Sequence, residues 1–431
     1  MEILLIASYY PYDYGDTAFI RPEAQFLSEA FEKVHVLTAL KEAFKYKKID
    51  LPANTEIVPP EIYLPRLSSK KERIKSVFIS FSHPFKLSKI LLSEYSFLLK
   101  RGKFNPQVFI TAITWLLNAN LLSVILKQYL SANPEIKMIY TFWYKYETLA
   151  SIICKQYFNI PIKCITRTHG GDLYEFVQEN KYQPYKKWMD KHIDRIFFAS
   201  KAGYDYYLNS FAAQGRDKYT IARLGIENHY TFKDIDKAEF STKCLNIISC
   251  SFMVPGKRIQ LIVEALSNMD EMNINWIHIG DGIERENLER ISKSLLETKS
   301  NIRYNFMGYL KNDSIKKLYY DTYFNCFVST TATEGGNPVS MIEAISFGIP
   351  IIASNVGGVP EIVNNDTGIL LDPDNCVNEL VNALYRFSAM TAQETERLRR
   401  SCREFWESNY RAETQYSQFA DTLKEIIQSD K

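Results

Sequence analysis

The chain has 431 residues, which at about 150 residues per domain suggests two to three domains. Apolar residues make up 46% and charged residues 24%, ordinary globular usage that excludes a long disordered chain, a collagen repeat and a disulfide-stapled mini-protein. A net charge of +2 excludes a polyelectrolyte binder, and seven cysteines with no C-x-x-C pair point to reduced thiols in a cytosolic compartment rather than to a zinc site.

The N-terminus, MEILLIASYYPYDYG, has no basic leader and no small-residue cleavage site. It reads as a buried first strand, Ile3 to Ala7, and not as a signal peptide. A turn-rich loop follows, in which Gly15 allows close backbone approach to a phosphate. A helical pattern around Ala24, Leu27 and Phe31 leads into a second apolar run, Val34 to Leu37. Strand, loop, helix, strand is the signature of a parallel sheet.

Residues 66–103 carry ten basic side chains against Glu72 and Glu94. The segment is +8 and the rest of the chain −6, and Phe78, Phe81, Phe85, Tyr95 and Phe97 are interleaved. That mixture suits an anionic membrane surface, and it equally suits a solvated helix pair. Nucleic acid is not expected, since the remainder is acidic. The next stretch, Phe104 to Leu126, has no charge and is long enough to span a bilayer. Its Thr114, Asn118 and Asn120 would lie near the membrane centre, where polar groups are costly, so a buried core helix is the preferred reading.

Met138 to Phe142, Ile162 to Thr166 and Ile196 to Ser200 read as further strands, with a helix over 147–158. Directly after the second of these comes TRTHGGD, residues 166–172, which puts His169 on a loop at a strand's carboxyl end. That position suits a ligand contact, although a lone histidine is more often structural. The polar stretch 227–243 lacks an apolar period and reads as a linker. It divides residues 1–226 from a second α/β unit over 244–391, and a helical stretch over 392–427 is long enough to cross back to the first unit. Two such units would face each other across a ligand cleft at the carboxyl ends of their strands.

In the second unit, Leu245 to Cys250 reads as a strand and SCSFMVPGKR, residues 249–258, as its loop into a helix. Lys257 and Arg258 there suit a diphosphate; a solvated pair is the alternative. Gly280-Asp281-Gly282 lacks the third glycine of a nicotinamide-binding turn. Residues 329–363 are the most informative. Asn337 is a good N-cap and Pro338 a good first helical residue, predicting a helix that stops at Gly348. Glycines 335 and 336 open its N-terminus to an anion, and Glu343, one and a half turns in beside Val339 and Ser340, can accept a cis-diol. The alternative is a helix that only covers a sheet. Asp372-Pro373-Asp374 reads as a turn, so no metal or other cofactor is expected.

Taken together, HGGD at 169–172, PGK at 255–257, IGDG at 279–282, FMGYL at 306–310, the 334–350 block and NVGGVPEIV at 355–363 resemble the family-4 retaining glycosyltransferases, over nearly the whole chain. The resemblance implies the GT-B fold: two Rossmann-like parallel-sheet domains facing across a cleft. It implies a nucleotide-sugar donor on UDP or GDP, gripped at the diphosphate by Lys257, with Glu343 on the ribose. It places Glu334, Gly335, Gly336, Asn337, Pro338 and Val339 around the sugar and phosphates, with Gly282 and Gly308 also lining the donor. His169 would lie near the reacting sugar. Eight residues separate Glu334 from Glu343 where that family has seven, and Phe252 stands where it has an arginine, a charge Arg258 could supply. The implied activity is hexosyl transfer to a saccharide or lipid-linked acceptor in surface polysaccharide synthesis, in the cytoplasm or at the inner face of a membrane. A nucleotide-sugar epimerase of the same fold and a non-catalytic GT-B subunit are the competing readings.

Overall fold

The computed structural model describes residues 1–67, 71, 84–212, 215–234 and 244–429. The chain divides into two compact units, Met1–Gly225 with Ala412–Lys431, and Ile226–Arg411. Much of the basic run, residues 68–70 and 72–83, lies outside the described residues, as does 235–243 of the expected linker.

The first unit is built on seven strands: β1 (Glu2–Ala7), β2 (Lys33–Thr38), β3 (Thr55–Ile57), β4 (Ile136–Thr141), β5 (Lys163–Thr168), β6 (Arg195–Phe198) and β7 (Tyr219–Ile221). Their order is β3-β2-β1-β4-β5-β6-β7, and every neighbouring pair is parallel. The pleat sends alternate side chains of β1 to opposite faces. Ile3, Leu5 and Ala7 pack with Ile20, Ala24 and Leu27 of the helix Thr17–Ala30 and with Phe419, Leu423 and Ile426 of the helix Ala412–Gln428. Leu4 and Ile6 pack on the other side, with Leu122 and Ile125 of the helix Pro106–Ala132 and Leu149 and Ile153 of the helix Tyr146–Phe158. Both faces are covered, which is why β1 is a continuous apolar run rather than an alternating one.

The uncharged stretch belongs to the helix Pro106–Ala132, which is long and apolar enough to cross a membrane by length and composition. Its residues 119–126 are all buried within the first unit, including Asn120 and Ser123. Ser123 Oγ meets its hydrogen-bonding need internally, donating to the Asn120 carbonyl at 2.7 Å. The start of this helix follows from sequence, with Asn105 Oδ1 accepting from Val108 N–H at 2.9 Å and Pro106 in the first helical position.

The second unit has six strands: β8 (Cys244–Cys250), β9 (Asn273–Ile279), β10 (Ile302–Phe306), β11 (Cys326–Ser329), β12 (Ile351–Ser354) and β13 (Gly368–Leu371). The order is β10-β9-β8-β11-β12-β13, again with parallel neighbours. Leu245 and Ile247 of β8 enter one core layer with Ile262, Val263 and Leu266, while Ile248 enters the other with Met341, Ile342 and Ile345. Both units thus have the expected α/β class with parallel sheets.

Sequence reading missed β3, β7 and β10, all sheet edges. The first two are three residues long, and β10 exposes Arg303 and Asn305. The C-terminal stretch is two helices: Ala392–Asn409, which stays with the second unit, and Ala412–Gln428, which belongs to the first. The break has a local cause. The Tyr410 carbonyl accepts from Ile226 N–H at 2.8 Å and Arg411 bridges to Ile226, so the backbone here pairs laterally instead of continuing a helix.

Candidate active site

In an open parallel sheet, ligands bind beyond the carboxyl ends of the strands where the strand order reverses. In the first unit that point lies between β1 and β4, and in the second between β8 and β11.

The loop after β1 is organised by Asp16, which is 2% exposed. Its Oδ1 accepts from the backbone of Tyr9 (2.8 Å) and Tyr10 (3.1 Å), and its Oδ2 from Ser8 N–H (2.7 Å) and Trp143 Nε1–H (2.8 Å). One carboxylate therefore ties the β1 loop to the β4 loop. Gly15 has φ +58°, and a Cβ there would stand 2.4 Å from the Tyr9 ring. Both the left-handed backbone and the packing on Tyr9 favour glycine there.

His169 follows β5. Its ring lies 4.6 Å from that of Phe142 and 4.8 Å from that of Trp143, centroid to centroid. Its backbone N–H donates to Asp172 Oδ1 at 2.6 Å. Asp172 also accepts from Thr168 Oγ1 (3.0 Å) and Tyr144 N–H (2.6 Å). His169 Nε2 is enclosed and has no hydrogen-bond partner. Burial pulls the imidazole down to about 4, with the Asp172 carboxylate opposing that shift. At neutral pH the ring is uncharged, so this nitrogen is either a donor or an acceptor, depending on tautomer. Asp172 closes the HGGD motif read in the sequence. Asp16 and Trp143 are supporting residues that sequence reasoning did not single out, and only the helix-cap position of Asp16 and the strand-end position of Trp143 could have pointed to them.

In the second unit the loops after β8 and β11 meet. Ala332 N–H donates to the Gly256 carbonyl at 2.8 Å, and the Lys257 ammonium forms an ion pair with the Glu334 carboxylate. Both side chains remain partly exposed. Arg258 is different. It adopts φ +48°, and its guanidinium donates to the carbonyls of Thr330 (2.8 Å), Thr331 (3.2 Å) and Pro373 (3.2 Å). Arg258 therefore ties the loops after β8, β11 and β13 to one another, and the expectation that it presents its charge to a diphosphate is corrected.

The helix after β11 runs Val339–Ser346, with Pro338 as its N-cap. The expected Asn337 cap does not form. Asn337 Nδ2 instead donates to Tyr410 Oη at 3.2 Å, so tertiary packing outcompetes local capping. Gly348, with φ +71°, ends the turn after the helix as expected. Glu343 is 7% exposed and accepts from Asn312 Nδ2, a partner from another helix. Burial raises its carboxyl and the Asn312 hydrogen bond partly restores it.

The Glu334–Gly335–Gly336 loop rests on the loop after β12. A Cβ at Gly357 would stand 1.7 Å from the Glu334 carbonyl oxygen, and one at Gly358 would stand 2.4 Å from that of Gly336. Gly357 and Gly358 thus meet the backbone of Glu334 and Gly336 at distances that leave no room for a side chain, which is why both are glycine. Gly282 and Gly308 lie in the loops after β9 and β10, where Gly280 N–H donates to the Gly308 carbonyl at 2.9 Å. Phe252, Ile283 and Tyr309, on the loops after β8, β9 and β10, all stand exposed. That these groups form an exposed apolar set on adjacent strand ends was not read from the sequence. Among the described residues, no group of three or more His, Cys, Asp or Glu side chains converges as metal ligands would.

Residues 245–389 match the family model for glycosyl transferases group 1. The chain is 24% identical over 272 residues to the candidate colanic acid biosynthesis glycosyltransferase WcaL of Escherichia coli K12, covering 61% of this chain and 64% of that one. It thus spans slightly less than two thirds of that relative. Among solved structures, sucrose-phosphate synthase from Thermosynechococcus elongatus superposes with a TM-score of 0.69 at 16% identity, covering 99% of each chain. Anabaena HepE in complex with UDP and glucose superposes with a TM-score of 0.61 at 13% identity, covering 99% of this chain and 100% of that one. These likenesses establish the shared GT-B fold.

Proposed function

We propose, from the match of residues 245–389 to the glycosyl transferases group 1 family, that the protein is a retaining glycosyltransferase. It takes a hexose or related sugar from a UDP or GDP donor and passes it to a saccharide or lipid-linked saccharide acceptor. Its place is surface polysaccharide synthesis, at the inner face of a membrane. The observation that carries this reading is the Lys257–Glu334 ion pair at the switch point of the second sheet. A cation and a carboxylate held together there match the junction between a diphosphate and its sugar, where negative and positive charge develop side by side as the bond between them breaks. The similarity to WcaL, and to HepE, whose structure holds UDP and glucose, supports the substrate class.

In this reading Lys257 and the first amides of the Val339–Ser346 helix hold the diphosphate. Glu343 accepts the ribose hydroxyls, and Phe252, Ile283 and Tyr309 offer apolar surface to the base. The acceptor oxygen forms its bond to the anomeric carbon on the face from which the diphosphate leaves. The carbon–oxygen bond to phosphate breaks, and the acceptor proton passes to the departing phosphate oxygen. His169, neutral, binds a sugar hydroxyl through Nε2. The diphosphate charge is met by protein groups, so chelation leaves turnover unchanged.

A thermal-shift screen of UDP, GDP and their sugars, followed by turnover of the stabilising donor, tests this. Release of nucleoside diphosphate that depends on a saccharide acceptor is expected. Interconversion of the donor sugar without acceptor would instead mean an epimerase. Donor binding without any turnover would mean a non-catalytic subunit.

A further inference from the structure

The helix Pro84–Lys100 buries one apolar face and exposes another. Ile90 and Leu98 are fully inside the first unit's core, with Leu87, Leu91 and Phe97 packed against it. Leu92, Tyr95 and Leu99 are nevertheless 61%, 37% and 51% exposed. Their spacing, three and then four residues, places them on one stripe of the helix. The stripe continues beyond the helix. The Phe104 ring lies 5.1 Å from that of Tyr95 and 5.8 Å from that of Phe109, and Ile110, 63% exposed, follows on the next helix. A soluble surface rarely leaves so many large apolar groups together without a partner.

The exposed charge on this helix has one sign. Lys89 and Lys100 are exposed on the same helix. Its sole acid, Glu94, is 1% exposed and turned inward, accepting from Tyr182 Oη at 2.6 Å and Tyr185 N–H at 3.0 Å. Arg101 and Lys103 follow immediately, sharing Glu175. An apolar stripe flanked by cations, on a helix with no exposed acid, is complementary to an anionic lipid surface, in which the side chains enter the acyl boundary and the lysines meet headgroups. A second copy of the chain would set lysine against lysine.

We propose that Leu92, Tyr95, Leu99, Phe104 and Ile110, with Lys89 and Lys100, form a docking surface for an anionic bilayer. This deepens the membrane setting of the proposed function and rests on that reading only for the reason the protein would be there. The aromatic and basic composition of 66–103 suggested such a surface; of the residues it singled out, Tyr95, Lys89 and Lys100 belong to the stripe, Phe97 turns inward, and Phe78, Phe81 and the Phe85 side chain lie outside the described residues, while Leu92, Leu99, Phe104 and Ile110 are added.

The test is flotation of the full chain with phosphatidylcholine vesicles, either pure or containing about 30% phosphatidylglycerol. Binding to the anionic vesicles alone, with release by salt, is expected. Leu92→Ser with Leu99→Ser should weaken it by about tenfold or more, and Lys89→Gln with Lys100→Gln by several-fold. Ile110→Ser, on a separate helix, repeats the apolar test should the first pair unfold. Equal binding to neutral vesicles, no binding, or indifference to all these changes would overturn the proposal. So would a dimer in light scattering that Leu92→Ser dissociates, or protection of the stripe by residues 68–83 in hydrogen exchange. Calorimetry with UDP and GDP on the same samples separates this result from a failure of the transferase reading.

Discussion

Lys257 has a carboxylate partner before any ligand arrives, which shapes what its loss does. Lys257→Ala removes a charge-assisted contact to the diphosphate and frees Glu334 to repel it. Nucleoside-diphosphate affinity should fall by about 10- to 100-fold, corresponding to roughly 1.5–3 kcal/mol. Calorimetry showing unchanged affinity would remove Lys257 from the site. Glu343 presents a different case, since its carboxylate is fixed by Asn312 on a neighbouring helix and serves bound donor and transition state alike. Glu343→Gln should therefore raise the donor KM more than it lowers kcat. Steady-state kinetics with kcat falling alone would contradict this. His169 supplies a pH signature. Its folded imidazole titrates near 4 against an ordinary 6.5, so the unfolded chain takes up this proton first as the solution is acidified. The contribution of the neutral ring is fully present above 6.5 and is lost as pH falls from 6.5 towards 4. Compared with His169→Gln, the native protein should lose ground across that window in denaturant melts, and a ring that titrates at 6.5 by NMR would refute the assignment. Lys257, Glu334 and His169 were legible in the sequence because each lies on a loop after a strand, and Glu343 because it lies in the helix that follows such a loop; its partner Asn312 was not. Asp16 and Trp143 were not, because their meeting spans 127 positions of chain.

The elements around the second switch point are loops held by backbone contact, and glycine is what permits it. Gly357 has φ +53° and lies against the Glu334 carbonyl. Gly357→Ala adds a Cβ where a backbone oxygen already stands and a conformation that alanine adopts poorly. The Glu334 loop must then move, and donor turnover should fall by an order of magnitude or more while the fold survives, by analogy with small misplacements in positioned sites. Wild-type kinetics in this variant would show that the loop's position is immaterial. The sequence signalled that N-V-G-G mattered, but not that it was the seat of the E-G-G loop. Arg258 shows the converse failure: beside Lys257 it reads as a second phosphate ligand, yet three carbonyls from distant loops claim its fork.

At the scale of the whole molecule, the last helix completes a unit that began over four hundred residues earlier. The ring of Phe419 lies 4.1 Å from the guanidinium carbon of Arg167, which is itself fully buried and paired with Glu23. Phe419→Ala should destabilise the first unit by about 3–5 kcal/mol, through the cavity and through loss of the cover over that ion pair. Thermal unfolding of the first unit, followed in the full chain, that does not shift would refute this role. Periodicity, turn residues and motif spacing determined the class of both units, most of their strands and the loops that carry chemistry, because these depend on neighbours within one or two turns of chain. The direction of Arg258, the partners of Asn337 and Glu343, the division of the C-terminal helices and the exposed stripe at Leu92 were decided only by tertiary structure. Each depends on which distant group reaches a donor, an acceptor or an apolar face first, and the local sequence around it does not contain that competition.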